Sequence, residues 1–233
     1  MDNNTVNLDF LINAYTNEIP LSNVLNADII RAFCSNADPE IRSWTAKALV
    51  LDKSTDFIIA CLLELANDYE ESVRIEAVDS LSNFCTNSSF NCLCAAIEDE
   101  SPLVRAYAAF GVAYVGRELC PDEAKRILIR EEANEQCERV LVGVYEGLYI
   151  LGEKDRIHML LSMLNSGDFY TCCAATHALQ EIVNAENNNI ILSALEGFNF
   201  SACPLAVVDA VNKLIMLCDT QADAGTRSDL SAT

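Results

Sequence analysis

Ser101-Pro102-Leu103-Val104-Arg105-Ala106-Tyr107-Ala108-Ala109-Phe110-Gly111-Val112-Ala113-Tyr114-Val115-Gly116 is the stretch whose pattern decides the fold. Val104, Ala108 and Val112 recur at four-residue steps with small residues between them. That spacing puts one apolar stripe on a helix and lets a second helix approach closely. Degraded copies lie at residues 39–51, 72–85, 138–152, 169–183 and 204–217. Shorter apolar segments precede most of them, at residues 22–34, 56–66, 89–97, 154–164 and 190–195, and a longer loop and helix surround residues 121–134. Arg42, Arg74 and Arg105 hold equivalent places at steps of 32 and 31 residues, a period that marks stacked helix pairs. The expected fold is all-α, a right-handed α-solenoid of about six helix pairs forming one body over residues 1–218. Leu8, Leu11, Ile12 and Tyr15 mark an N-terminal cap helix within residues 1–19, and residues 219–233, without apolar periodicity, are expected to be a flexible tail.

Asn36, Asp68 and Asp99 each stand six residues before one of the arginines. A turn carboxylate or amide of one repeat is therefore placed to accept hydrogen bonds from the arginine of a neighbour, forming a ladder. Leu141 and Cys172 take the arginine place further on, so the ladder is expected in the first half alone. These residues resemble the HEAT-repeat family, and the fuller copy around Val104–Gly116 resembles the bilin-lyase-type variant of that repeat. The resemblance covers nearly the whole chain and implies architecture more than activity. Taken further, it implies a groove that holds a tetrapyrrole, with a cysteine or carboxylate assisting attachment.

Lys and Arg total 15 against 35 Asp and Glu, for a formal charge of −20. Nucleic-acid binding draws its affinity from cations, so this balance argues against a polyanionic partner and against a helical-repeat DNA glycosylase. The expected partner is a basic protein, with no nucleic acid and no membrane, and the chain is expected to be a monomer by itself. Residues 57–63 form the longest apolar run, far short of the roughly 18 residues of a membrane span. The start of the sequence has no charged leader pattern, and eleven cysteines spread along apolar helical faces suit reduced thiols and a cytoplasmic setting.

Residues of catalytic type are present without catalytic spacing. His158 and His177 fall in different helix pairs, without the spacing of a metal-binding helix. Cys92 and Cys94, and Cys172 and Cys173, lack a Cys-X-X-Cys partner set, and cysteine suits tight helix contacts as a small buried residue. Gly111, Gly116, Gly147 and Gly152 are read as steric positions at helix contacts and ends. No enzyme activity, cofactor or metal is expected.

Binding is the class of function that remains. Positions two, five and nine after the arginine place line one side of the second helices. They are Trp44 and Lys47; Glu76, Asp79 and Asn83; Tyr107, Phe110 and Tyr114; Glu146 and Ile150; His177 and Glu181. Aromatic rings among carboxylates can anchor apolar side chains and attract cations. The turns add an acidic rim of Asp38, Asp68, Glu70, Glu71, Glu98, Asp99 and Glu100, with Glu135 and Glu138 further on, able to steer a basic partner. The sharpest expectation is a cytoplasmic immunity or antitoxin-like protein that neutralises a basic toxin such as a nuclease. A bilin-lyase-like enzyme or subunit and a general HEAT scaffold are the alternatives.

Overall fold

Helices in this chain begin where a short polar side chain accepts from the N–H groups of a first turn, which have no partner inside the helix. Thr55 accepts from the Ile58 N–H, Thr86 from that of Ser89, and Ser101 from those of Leu103 and Val104. Pro39 and Pro102 follow their caps at the one place where a missing N–H costs nothing. The computed structural model describes residues 8–53, 55–198 and 203–230, with 222–230 as backbone only. The first residues of the expected cap segment and the last three of the expected tail lie outside the described residues.

The chain divides into two compact units, residues 1–130 and 131–233, where the periodicity predicts one continuous body. Unit 1 holds α1 (Leu8–Thr16), a 3-10 turn (Leu21–Asn23), α2 (Ala27–Cys34), α3 (Pro39–Leu49), α4 (Asp56–Leu65), α5 (Glu71–Leu81), α6 (Asn87–Ala96) and α7 (Pro102–Leu119). Helix α8 (Pro121–Asn134) runs over the boundary. Helices α1, α3, α5 and α7 lie side by side in one layer, and α2, α4 and α6 form the other, each packed on the helix that follows it. The N-terminal helix thus occupies the place of an inner-layer helix against α3. Unit 2 repeats the scheme. Helices α9 (Glu138–Ile150), α11 (Phe169–Ile182) and α13 (Leu205–Leu230) form its inner layer, with α10 (Ile157–Met163) and α12 (Asn188–Leu195) outside. Helix α13 continues through residues 219–230, the segment expected to be a flexible tail.

Small side chains set the close approach of the inner helices. Ala46, Ala77 and Ala108 are fully buried along α3, α5 and α7, with Leu49, Leu62, Leu81 and Leu93 filling the space toward the outer layer. Each such leucine contributes about 1.5–3 kcal/mol when fully buried. A Cβ on Gly111 would meet Leu93 Cδ2 at 2.7 Å, and one on Gly116 would meet the Ala124 Cβ at 2.4 Å, so both glycines are steric. Gly152, at φ 99°, ends α9 in a left-handed turn that only glycine adopts cheaply. The Glu153 N–H then reaches the Leu148 carbonyl at 2.9 Å and the Gly152 N–H that of Tyr149 at 3.1 Å. In unit 2 the core gathers Tyr145, Leu160, Leu179, Ile191, Val211, Leu214 and Cys218.

Arginines tie neighbouring repeats together. Arg42 donates from Nε and Nη2 to Asp68 at 2.6 and 2.8 Å, and from Nη1 to the Asn36 carbonyl at 2.7 Å. Arg74 does the same with Asp99 at 2.9 and 3.0 Å and with the Asp68 carbonyl at 3.0 Å. Arg105 Nη1 donates to the Asp99 carbonyl at 2.9 Å. Each guanidinium therefore closes its own turn as well as holding the next. Both side chains of the Arg42–Asp68 pair are less than a tenth exposed. Burial pushes the Asp68 carboxyl up, but hydrogen bonds from Arg42 and the Glu70 N–H, with the charges of Arg42 and Arg74, hold it below its ordinary range. In unit 2, Arg139 makes a related link that the arginine spacing does not predict: its Nη2 donates to Asp168 at 3.1 Å.

Candidate interaction surface

Trp44 and Lys47 lie one turn apart on α3, so both face the same side of the inner layer. The Trp44 ring meets the Tyr15 ring of α1 edge-on at 6.1 Å and 70°. Lys47 Nζ sits 5.6 Å from each of these ring centres and donates to both carboxylate oxygens of Glu76 at 3.2 Å. Burial pulls the Lys47 ammonium down, but the Glu76 carboxylate, then Tyr15 and Asp79, outweigh it and leave it above its ordinary value. Asp79 follows Glu76 by one turn on α5. Burial and the Glu76 charge push its carboxyl up, with Lys47 pulling the other way. On α7 the Tyr107 phenol is pushed up by burial and then by Asp79 and Glu76. Trp44, Lys47, Glu76, Asp79 and Tyr107 therefore form one continuous surface across α3, α5 and α7.

Phe110 and Tyr114 extend this surface along α7, stacked at 5.4 Å with 29° between their planes. Arg117 lies 4.9 Å over the Tyr114 ring. Tyr107 and Tyr114 are exposed, while Trp44 and Phe110 are half-buried. Asn83 is exposed and spends its amide on the Asp79 carbonyl and the Ser82 hydroxyl. Tyr15 and Arg117 are members of the surface that the column spacing leaves out; Tyr15 is visible in the sequence only as part of the apolar stripe of α1.

The unit 2 positions behave differently. His177 and Glu181 are exposed on α11, but Glu146 is buried on α9, only 7 % exposed, and offers little to a partner. Burial, and then the Glu181 charge, push its carboxyl up to about 8. No described residue donates a hydrogen bond to it.

Much of the acidic rim is engaged within the fold. Asp68 and Asp99 hold the arginines, the Ser101 hydroxyl donates to Glu71, and Arg74 reaches Glu100 at 3.3 Å. Glu98 and Glu100 keep rim charge toward solvent, while Glu70 is half-buried. A cleft of about 350 Å³ opens among these turns beside Cys34, Arg42, Glu64 and Tyr69. Among the described residues no three His, Cys, Asp or Glu side chains cluster as a metal site, and no helix is long and apolar enough to cross a membrane.

No curated protein matches this sequence. Across 93 % of the chain and 91 % of the other, the fold is similar to that in the structure of the complex of CpcE and CpcF of phycocyanin lyase from Nostoc sp. PCC7120, at 15 % identity and a TM-score of 0.63. An engineered protein is more distantly similar, at 15 % identity and a TM-score of 0.42 over 84 % of this chain and 98 % of its own. Residues 27–109, from α2 into α7, match the family of HEAT repeats. This is the region that carries the arginine ladder, together with Trp44 and Tyr107 of the aromatic surface.

Proposed function

We propose that the chain is a non-enzymatic, protein-binding HEAT module whose partner docks on the inner layer of unit 1. The observation that carries this reading is the joining of Trp44, Lys47, Glu76, Asp79 and Tyr107 into one partly open surface. Aromatic rings supply contact area at low entropic cost, and carboxylates beside them select a cationic neighbour. The net charge of −20 favours a basic partner. It is also the sole support for the narrower reading, an immunity protein that neutralises a basic toxin. The test is capture from the native cell with the full chain, comparing wild type with a Trp44→Ala, Tyr107→Ala double variant. The reading expects a protein retained by the wild type and lost from the variant; retention unchanged by both substitutions refutes it.

A second reading, a subunit similar to bilin lyases, is favoured by the fold likeness to the phycocyanin lyase complex. It expects the purified chain to bind a linear tetrapyrrole, with a shifted visible absorbance that co-elutes with protein. A pigment that elutes separately counts against it.

A further inference from the structure

Among the described residues, two arginines are held between the carboxylate of a following turn and a tyrosine ring beside it. Arg42 is bonded to Asp68 and lies 4.7 Å over the ring of the next residue, Tyr69. Arg139 is bonded to Asp168 and lies 4.7 Å over the ring of Tyr170. In both, a carboxylate takes the guanidinium edge and a tyrosine ring takes its face, a pairing that suits the planar, weakly hydrated guanidinium better than an ammonium.

Asp79 and Tyr107 present the same two groups on the inner face of unit 1, with no arginine of this chain between them. Lys47, five residues after Arg42, meets Glu76, two after Arg74, at 3.2 Å; Asp79 and Tyr107 stand in that same register one repeat later, on the packed helices α5 and α7. No described residue donates a hydrogen bond to the Asp79 carboxylate or accepts one from the Tyr107 hydroxyl. The nearest cation, Lys47, is held by both oxygens of Glu76 and makes no ion pair with Asp79. The two carboxylates of this stretch of α5 thus share one ammonium, which leaves one negative charge uncompensated on a half-buried surface. A carboxylate in that position gains most from a charge-assisted hydrogen bond.

Resting on the protein-binding reading above, we propose that Asp79 and Tyr107 form a receptor for an arginine side chain of the partner protein, with Asp79 taking the guanidinium edge and Tyr107 its face. Trp44 on α3, and Phe110 one turn after Tyr107 on α7, would accept the apolar residues on either side of the arginine.

The probe is a linear peptide selected on the full chain from a phage-displayed library, then synthesised with each arginine in turn as itself, lysine or neutral citrulline. Trp44, the only tryptophan, reports its affinity by fluorescence. One arginine is expected to be essential, with citrulline in its place weakening binding tenfold or more and lysine weakening it severalfold. Asp79→Asn should weaken the arginine peptide by a similar factor, and the citrulline peptide should lose nothing further on that variant. The citrulline exchange leaves the protein untouched, so the expectation stays testable even if Asp79→Asn folds poorly. Binding that depends on Trp44 but ignores both citrulline and Asp79→Asn overturns the arginine receptor and leaves the protein-binding reading standing. Equal affinity for lysine overturns the assignment to guanidinium. Selected peptides whose binding ignores Trp44, Asp79 and Tyr107 alike, or no selected peptide at all, overturn both.

Discussion

Arg74 repeats, one repeat later, the bonds that Arg42 makes: Nε and Nη2 to the carboxylate of the following turn, Nη1 to two carbonyls of its own turn. A single side chain therefore fixes both the shape of a turn and its distance from the next. Removing one partner of such a buried pair leaves the other charge without compensation, typically at a cost of about 3–5 kcal/mol. Arg42→Leu and Asp68→Leu are each expected to destabilise by about 2–4 kcal/mol, and the double variant by clearly less than their sum. Chemical denaturation of the four proteins measures this; strict additivity would show that the pair does not hold the repeats.

Glycine substitutions should separate steric from conformational roles. Gly116→Ala drives a Cβ into Ala124, at 2.4 Å, and the expected loss is about 1–3 kcal/mol despite the better helix propensity of alanine. Gly152→Ala meets no neighbouring atom but must hold φ at 99°, at a cost of about 1 kcal/mol. Gly167→Ala meets neither obstacle and should be neutral or slightly stabilising. Thermal unfolding ranks the three, and a neutral Gly116→Ala would contradict the packing of α7 on α8.

Two carboxyls should push stability in opposite directions with pH. Glu146 titrates at about 8 in the fold, above its unfolded value of about 4.3, so its folded state is penalised as pH rises through that interval. Glu146→Gln should match the wild type near pH 4.5 and exceed it near pH 9, by on the order of 5 kcal/mol. Asp68, held below its ordinary range, acts the other way: its contribution is present above an unfolded pKa of about 3.9 and is lost as pH falls through the lower folded value. Melting curves of both proteins across this pH range test the assignment, and a pH-independent gap for Glu146→Gln would refute it.

The repeats were legible because their helices are amphipathic and their starts carry Asp38-Pro39, Thr55, Thr86 and Ser101-Pro102, signals that act locally. The ladder was legible for a similar reason, since Arg42, Arg74 and Arg105 keep one spacing. Arg139 was not, because it stands two residues after its helix N-cap, Cys137, instead of four, so no alignment of repeats finds it. Burial of Glu146 was equally hidden: glutamate at a lining position reads as surface, and only packing shows that its carboxyl is enclosed. The continuation of α13 past Asp219 shows that loss of apolar periodicity does not end a helix where alanines and no proline follow. The columns put Trp44, Lys47, Glu76, Asp79 and Tyr107 on one face, and Tyr15 joins that face from a helix outside the repeat alignment.

The Lys47–Glu76 pair is about a quarter to a third exposed, so it should matter more to binding than to folding. Lys47→Met is expected to change stability by less than about 1 kcal/mol. It should also shift the Trp44 emission, because the ammonium lies 5.6 Å from that ring. A large loss of stability with unchanged emission would place Lys47 in the scaffold and not in the surface.

The most direct test of the protein-binding account is site-specific photo-crosslinking in the native cell, with benzoylphenylalanine placed at Tyr107 on the inner face or at exposed Asn91 on outer helix α6. The account predicts a discrete protein adduct from position 107 that is absent from position 91 and is lost with Asp79→Asn. No adduct from position 107, or the same adduct from both positions, would contradict it.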